Sequence, residues 1–518
     1  MAKVKKVKEE RLEDILMSCR NHLRGKADQS DKRDVLLTLV FLKFMSDRFE
    51  EQQAKIAAKY EKTPELAKIQ MGKPAAYRQD GVIYLPEECR WRYLVDTVPP
   101  KEKALALDNA TRTLDQQEEK LKNALPQGLF VGCDFEPSVL KSVMEELDKI
   151  DPARFGEKDL IGRVYEYYLQ AFSINADKEE GEFYTPRSLV ELIATMIEPF
   201  DGKLYDPCCG SGGMFIQCAK LVEAHGGNTK TINVYGQECE PATFRLAKMN
   251  LAVRGISYHL GQKPSSTFTN DQHPDLKVDY VMTNPPFNLK KWREEDALLD
   301  DPRWSGYDVP PTSNANYGWI LHILSKLNPA DGVGGFLLAN GALDDEDTLG
   351  IRKQLIENDK VEAIIVLPRE MFYSTDISVT LWILNQNKKG GVYHGRTLRD
   401  RSGEILFVDL RTWNQTIYEK KYVKFTPEQI AAATKIYHDW QQKKISSVPE
   451  LCYAAPRAEI AEKNYSLVPS RYIEFVDRDT ELDYQTALKE IGAQSKALVE
   501  RQVQNGLSLV KALKKLGY

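Results

Sequence analysis

Three short segments of this 518-residue chain place acids, glycines, an asparagine and prolines where a strand would give way to a turn. The first runs Leu204-Tyr205-Asp206-Pro207-Cys208-Cys209-Gly210-Ser211-Gly212-Gly213. An acid closes a candidate strand, and the glycine-rich turn Gly210, Ser211, Gly212, Gly213 opens a helix. Glycines let the backbone turn tightly and approach a ligand closely, and a helix N-terminus faces that ligand. The turn is neither a phosphate-binding GxxxxGK[ST] loop nor GxGxxG. Asp206 suits a cationic amino group better than a phosphate, and S-adenosylmethionine carries such a group. Read blandly, the same residues are a structural turn of an α/β protein. The second segment is Tyr235-Gly236-Gln237-Glu238, in which an acid after the next strand can accept hydrogen bonds from both hydroxyls of a ribose. Its bland reading is a charge at the start of the helix that begins near Pro241.

The third segment, Asp279-Tyr280-Val281-Met282-Thr283-Asn284-Pro285-Pro286-Phe287, is an apolar strand ending in a rigid corner. The prolines remove two backbone donors and restrict φ. The side-chain oxygen of Asn284 and the backbone carbonyl of Pro285 can then each accept one N–H of a planar amine. The amino nitrogen of adenine is conjugated into its ring and is a poor nucleophile. Holding both of its hydrogens favours a pyramidal nitrogen whose lone pair is free. Phe287 offers a face on which a base can stack. A base in a duplex must flip out to reach such a pocket, at a cost of roughly a few kcal/mol. The bland reading is a strand-ending Pro-Pro turn with a packed Phe.

The elements that must hold these corners are legible. From Leu189 to about Leu410, β-branched runs alternate with helical patterns. Strands are expected at 203–206, 231–235, 278–283, 335–339, 361–367 and 378–384, with helices at 213–224 and 241–253. That alternation implies an α/β fold with a mostly parallel, doubly wound sheet. Residues 1–150 read as a helical docking domain, 151–411 as the catalytic domain, and 412–518 as a helical C-terminal region that contacts a partner. Within that last region, helices are expected at 427–443 and 483–513, the latter with a break near Gly506.

Composition narrows the function classes. Hydrophobic residues make up 42% and aromatics 9%, enough for a packed core. A formal net charge of −5 means that any nucleic-acid contact uses a local basic patch or a partner. None of the 8 cysteines forms a CxxC pair, so a zinc ribbon is not expected and no metal site is assigned. No apolar run is long enough to span a bilayer, and the N-terminus does not read as a signal peptide, so a cytoplasmic protein is expected. Asp108 with Glu118-Glu119-Lys120 fits a loose nuclease pattern but sits in a polar helical run, so it reads as a solvated face. Lys3, Lys5, Lys6 and Lys8 read as a frayed tail.

These three motifs, in this order, resemble those of amino-group DNA methyltransferases. More specifically, the chain resembles the modification (M) subunits of Type I restriction-modification systems. Gly181-Glu182-Phe183-Tyr184-Thr185-Pro186-Arg187 looks like the family's GxFYTP segment, which implies that Glu182, Phe183, Tyr184, Thr185, Pro186 and Arg187 cover the methionine end of S-adenosylmethionine. Residues 332–343 and 359–387 resemble the following parts of the family's catalytic fold, and the N-terminal helical block resembles its first domain. The resemblance implies a Rossmann-like S-adenosylmethionine-dependent methyltransferase sheet that methylates the exocyclic amine of adenine in double-stranded DNA. It also implies partners: a specificity subunit that reads the sequence, a second M subunit, and in complete systems a motor-nuclease restriction subunit. Ser266 stands where many relatives carry an acid toward the cofactor's adenine, and Phe287 replaces a common Tyr. Two other readings use the same corner: methylation of a protein glutamine or an RNA base, and a non-catalytic assembly subunit.

Overall fold

The computed structural model describes residues 11–151, 185–224, 226–228, 231–372, 378–418, 422–443, 447–476 and 484–515, with isolated positions between 155 and 168. The lysines before residue 10 and the segment 181–184 lie outside the described residues.

The strands are β1 (Gly202–Asp206), β2 (Ile232–Gly236), β3 (Tyr258–His259), β4 (Tyr280–Thr283), β5 (Val333–Ala339), β6 (Val361–Val366) and β7 (Val379–Asn385). They continue with β8 (Gly391–Tyr393), β9 (Arg396–Leu398), β10 (Glu404–Asp409), β11 (Ile417–Tyr418), β12 (Tyr422–Val423) and β13 (Cys452–Pro456). Nine of them form one sheet in the order β13-β10-β6-β7-β5-β4-β1-β2-β3. Most neighbours are parallel. The antiparallel pairings are β7 with β5 and β6, and β13 with β10. The chain leaves β1 toward β2 and β3 on one side, and returns to place β4 and β5 on the other. The strand order therefore reverses at β1/β4, and ligands of open α/β sheets bind in the crevice at such a switch point, beyond the carboxyl ends of the strands.

β5, β6 and β7 are buried along their whole length, because helices cover both faces. Alternate residues feed two cores. Leu204, Met282 and Leu337 join one, while Tyr205, Val281 and Phe336 join the other. The helix Arg187–Ile197 lies so close to β5 that a Cβ on Gly335 would sit 2.7 Å from Ile193. The helices Gly213–Ala224 and Pro241–Val253 begin where the sequence predicts them.

The N-terminal helices Leu12–His22, Gln29–Lys59, Lys103–Gln117 and Pro137–Asp148 share a hydrophobic core with Leu246, Met249, Ala252 and Val253 of the helix Pro241–Val253. Of the nuclease-like residues, Glu119 and Lys120 are exposed as a solvated face requires, but Asp108 and Glu118 are not. Asp108 is buried and accepts the N–H groups of Phe130 and Val131, while buried Glu118 pairs with Arg78 at 2.9 Å. Both carboxylates are tied to structural partners.

The stretch after Thr412 is not purely helical. Its helix Pro427–Gln442 starts at a capping box, with Thr426 accepting from the Gln429 N–H at 3.2 Å. β13 then adds an antiparallel edge to the sheet, ending in Pro456, where an edge tolerates a missing N–H. The helix Tyr484–Lys515 passes Gly506 without a break. No helix among the described residues is long and apolar enough to cross a membrane.

Candidate active site

The three corners predicted from the sequence meet at the carboxyl ends of β1, β2 and β4. Asp206 ends β1, is 1% exposed, and accepts the Cys208 N–H at 3.1 Å. Its backbone carbonyl accepts the Gln237 N–H at 3.1 Å, which ties the end of β1 to the end of β2. Burial pushes the Asp206 carboxyl from the ordinary 3.8 up to about 7, against hydrogen bonds from Thr283 and Cys208 that favour the ionised form; nearby Glu238 adds to the rise. A cation placed beside this carboxylate would offset the desolvation of its charged form.

The turn beyond Asp206 is left-handed at Gly210 (φ 53°) and Gly212 (φ 81°), a conformation that side chains with a Cβ rarely adopt. Ser211 is held through its carbonyl, which accepts from the Asn250 amide at 2.8 Å. Gly213 opens the helix Gly213–Ala224. The Cys208 thiol lies 3.0 Å from the Thr283 hydroxyl, which joins the turn to the last residue of β4.

Glu238 is buried beside this turn. Its Oε2 accepts the Gly210 N–H at 3.0 Å, and its Oε1 accepts the N–H groups of Cys239 and Glu240 at 2.8 and 2.9 Å. A carboxylate has about four acceptor positions, so one remains for an incoming donor. The expected grip on two ribose hydroxyls therefore requires Gly210 to release its bond. The Ser265 N–H donates to the Glu238 carbonyl at 2.9 Å, and the Ser266 carbonyl accepts from Asn270 at 2.9 Å. Ser266 thus sits in a loop docked against Glu238.

Sequence reasoning passed over Gln237. It is fully buried, and its amide donates to the carbonyls of Ser265 and Asn270 at 3.1 and 2.8 Å. Its side-chain oxygen accepts the Gln272 N–H at 3.1 Å. It is the residue that holds the Ser265–Asn270 loop to β2. An amide next to a candidate binding acid was the available signal.

At the β4 corner, the Asn284 amide nitrogen donates to Thr185 Oγ1 at 3.0 Å. Its Oδ1 is buried and makes no hydrogen bond among the described residues. A buried acceptor left unpaired costs about 1–3 kcal/mol, so such an atom calls for an explanation. Pro285 is buried, whereas Pro286 is exposed. The Phe287 ring meets Phe372 edge to face, with centroids 5.9 Å apart at 90°. Thr185 and Pro186 lead into the helix that starts at Arg187, and Thr185 brings the end of the predicted cover segment to Asn284. Glu182, Phe183 and Tyr184 lie outside the described residues. No cluster of metal-ligating side chains occurs among the described residues.

A sheet that switches direction at β1/β4, with a glycine-rich turn after β1, an acid after β2 and Asn-Pro-Pro-Phe after β4, defines the methyltransferase class that acts on planar amines. Comparison with known proteins narrows the class. Residues 156–481 match the family described as N-6 DNA Methylase, and residues 12–147 match the HsdM N-terminal domain. The chain is 35% identical over 430 residues to the Type I restriction enzyme HindI methylase subunit of Haemophilus influenzae, covering 80% of this chain and 93% of that one. It is 31% identical over 527 residues to the Type I restriction enzyme MjaIX methylase subunit of Methanocaldococcus jannaschii, covering 98% and 91%. Its fold matches the crystal structure of a type I restriction-modification system methyltransferase subunit from Streptococcus thermophilus with a TM-score of 0.71 at 24% identity, covering 89% and 98%. The chain belongs to the N-6 DNA methylase family, among the methylase subunits of Type I restriction enzymes. It is a DNA methyltransferase acting on adenine, which sets aside the protein-glutamine, RNA and purely structural readings.

Proposed function

We propose that this chain binds S-adenosylmethionine at the ends of β1 and β2 and methylates an adenine flipped out of double-stranded DNA at the end of β4. The observation that carries this reading is the buried, unpaired Oδ1 of Asn284 beside an amide nitrogen already held by Thr185. Such an atom is an acceptor in want of a donor, and an adenine amine supplies one. The Pro285 carbonyl takes the second N–H, Pro286 stiffens the corner, and Phe287 stacks on the ring. With both hydrogens engaged, the nitrogen lone pair is released from conjugation and aimed by position, the main sources of acceleration here being orientation and electrostatics.

The buried Asp206 carboxylate fits the ammonium of the cofactor, and Gly210, Ser211, Gly212 and Gly213 let its backbone pass close. Glu238 takes the ribose, with Gly210 released as it does so, and Ser266 faces the adenine end. Glu182 to Arg187 close over the methionine end. When bound, the cofactor supplies an electrophilic methyl group on a sulfonium.

The chain works within a Type I complex, with a specificity subunit that selects the sequence, a second M subunit and, in complete systems, a restriction subunit. The division at about residues 150 and 411 assigns docking to the N-terminal helices, chemistry to the sheet, and partner contact to the C-terminal region. The helix Tyr484–Lys515 supports this last part. Leu488, Ile491, Leu498, Val499 and Val503 are each at least 58% exposed along it, an apolar stripe at helical spacing that nothing among the described residues covers. The proposed setting is the cytoplasm.

The test is methyl transfer from labelled S-adenosylmethionine to DNA by the assembled complex. Asn284→Ala is expected to bind the cofactor normally and to lose methylation. Transfer near the wild-type rate in that variant overturns the assignment.

A further inference from the structure

Directly after Phe287 the chain leaves the base site through Asn288, Leu289, Lys290 and Lys291, and all four are exposed. This exposure is not that of a loose loop. Asn288 and Lys291 are both held in the left-handed region, at φ 53° and 52°. The Asn288 N–H donates to Asn316 Oδ1 at 3.1 Å, and the Asn288 side-chain oxygen accepts from the Asn316 and Asn314 amides at 2.9 and 3.2 Å. Leu289 is pinned through its carbonyl, which accepts the Ala315 N–H at 2.9 Å, and the Lys291 N–H donates to the Thr312 carbonyl at 3.1 Å. The next residue, Trp292, is buried, and its indole N–H donates to the Pro311 carbonyl at 2.9 Å. A strained backbone with this much support presents an apolar side chain, 39% exposed, and two ammonium groups to solvent. Neither Lys290 nor Lys291 has an ion-pair partner among the described residues, although Glu294 and Glu295 follow closely. A chain of net charge −5 needs such local cations if it is to meet phosphate.

The reach is right. Three residues of extended chain span at most about 10 Å, roughly three base-pair rises of a duplex. If Phe287 stacks on the flipped adenine, the phosphates flanking that nucleotide and the gap it leaves in the duplex lie within range of residues 289–291. Proteins that unstack DNA commonly insert an apolar side chain, Leu among them, at the opened step.

We infer that Leu289, Lys290 and Lys291 form a flipping clamp: Leu289 enters the stack the adenine has left, and the two lysines hold the phosphates on either side of the flipped nucleotide. The inference rests on the base site proposed above. It assigns to the M chain itself a share of DNA binding at the target nucleotide.

The test uses this chain assembled with its specificity subunit. The probe is a duplex carrying 2-aminopurine in place of the target adenine, at the position identified by sequencing methylated DNA from an expressing host. For K290Q/K291Q, the plot of log affinity against log salt should become shallower by about 2, the loss of two phosphate contacts. For Leu289→Ala, the fluorescence rise on binding should fall while the salt slope stays at the wild-type value. A wild-type slope in the double variant together with a wild-type fluorescence rise in Leu289→Ala overturns the clamp, provided the wild-type complex methylates the unmodified duplex. Failure of the wild-type complex to methylate overturns the base-site reading beneath it instead.

Discussion

The Asn284 amide nitrogen and the Thr185 hydroxyl meet at 3.0 Å across a sequence separation of 99 residues. One comes from the corner after β4 and the other from the turn that opens the helix Arg187–Ile197. In this contact the nitrogen of the Asn284 amide is the occupied half, and the proposed role gives the oxygen to the base. Thr185→Ala should therefore lower kcat for methyl transfer by about tenfold, the worth of one hydrogen bond of about 1.4 kcal/mol. Thr185→Ser should restore most of the rate. Equal rates in the Ala variant and the wild type would remove Thr185 from this role.

Asp206 makes a prediction about pH. Its folded-state value of about 7 lies above the ordinary 3.8, so the folded chain holds a proton that the unfolded chain has lost between these values. Stability must then fall as pH rises through that window and stay reduced above it. Asp206→Asn removes the cost of the charge. It should raise the melting temperature at pH 8, by a stabilisation of the order of 4 kcal/mol at most, and have little effect at pH 3, where the wild-type group is largely protonated in both states. The same variant should bind S-adenosylmethionine at least about tenfold more weakly, since a stabilised site residue commonly sacrifices function. Melting scans at the two pH values and calorimetric titration at pH 8 check both halves.

The exposed stripe on the helix Tyr484–Lys515 gives a third prediction. Ile491→Asp combined with Leu498→Asp should leave the melting temperature and cofactor binding of the isolated chain unchanged, because both side chains are more than half exposed there. Association with the specificity subunit should be lost, as read by size-exclusion chromatography of the mixed proteins. A complex that forms as before would move the docking surface elsewhere.

Much of this was legible in the sequence, for reasons that differ by element. The turn after Asp206 and the Asn284–Phe287 corner are written in glycines and prolines, residues whose backbone demands are local. The helices Gly213–Ala224 and Pro241–Val253 follow from apolar periodicity and, for the second, from a proline in the first turn. β13 was not legible, because Cys-Tyr-Ala-Ala-Pro has neither β-branching nor alternation and is a strand only because β10 offers an open edge. The solvated-face reading of Asp108 failed for a similar reason: the backbone N–H groups it satisfies come from Phe130 and Val131, 22 and 23 residues away. Likewise, the three N–H groups on Glu238 depend on how the glycine turn folds back, which no local pattern records.

The helix Pro241–Val253 belongs to two neighbourhoods at once. Asn250 and Leu251 face the glycine turn, Asn250 through the Ser211 carbonyl and Leu251 against Gly212. Leu246, Met249, Ala252 and Val253 are embedded among the N-terminal helices, and Lys248 and the Val253 carbonyl are tied to Lys122 and Arg48. The same two turns of this helix are therefore packed on one face against the N-terminal bundle and on another against the turn proposed to hold the cofactor. One helix thus makes the footing of the glycine turn a part of the N-terminal core, so substitutions at the bundle face of residues 246–253 touch both neighbourhoods.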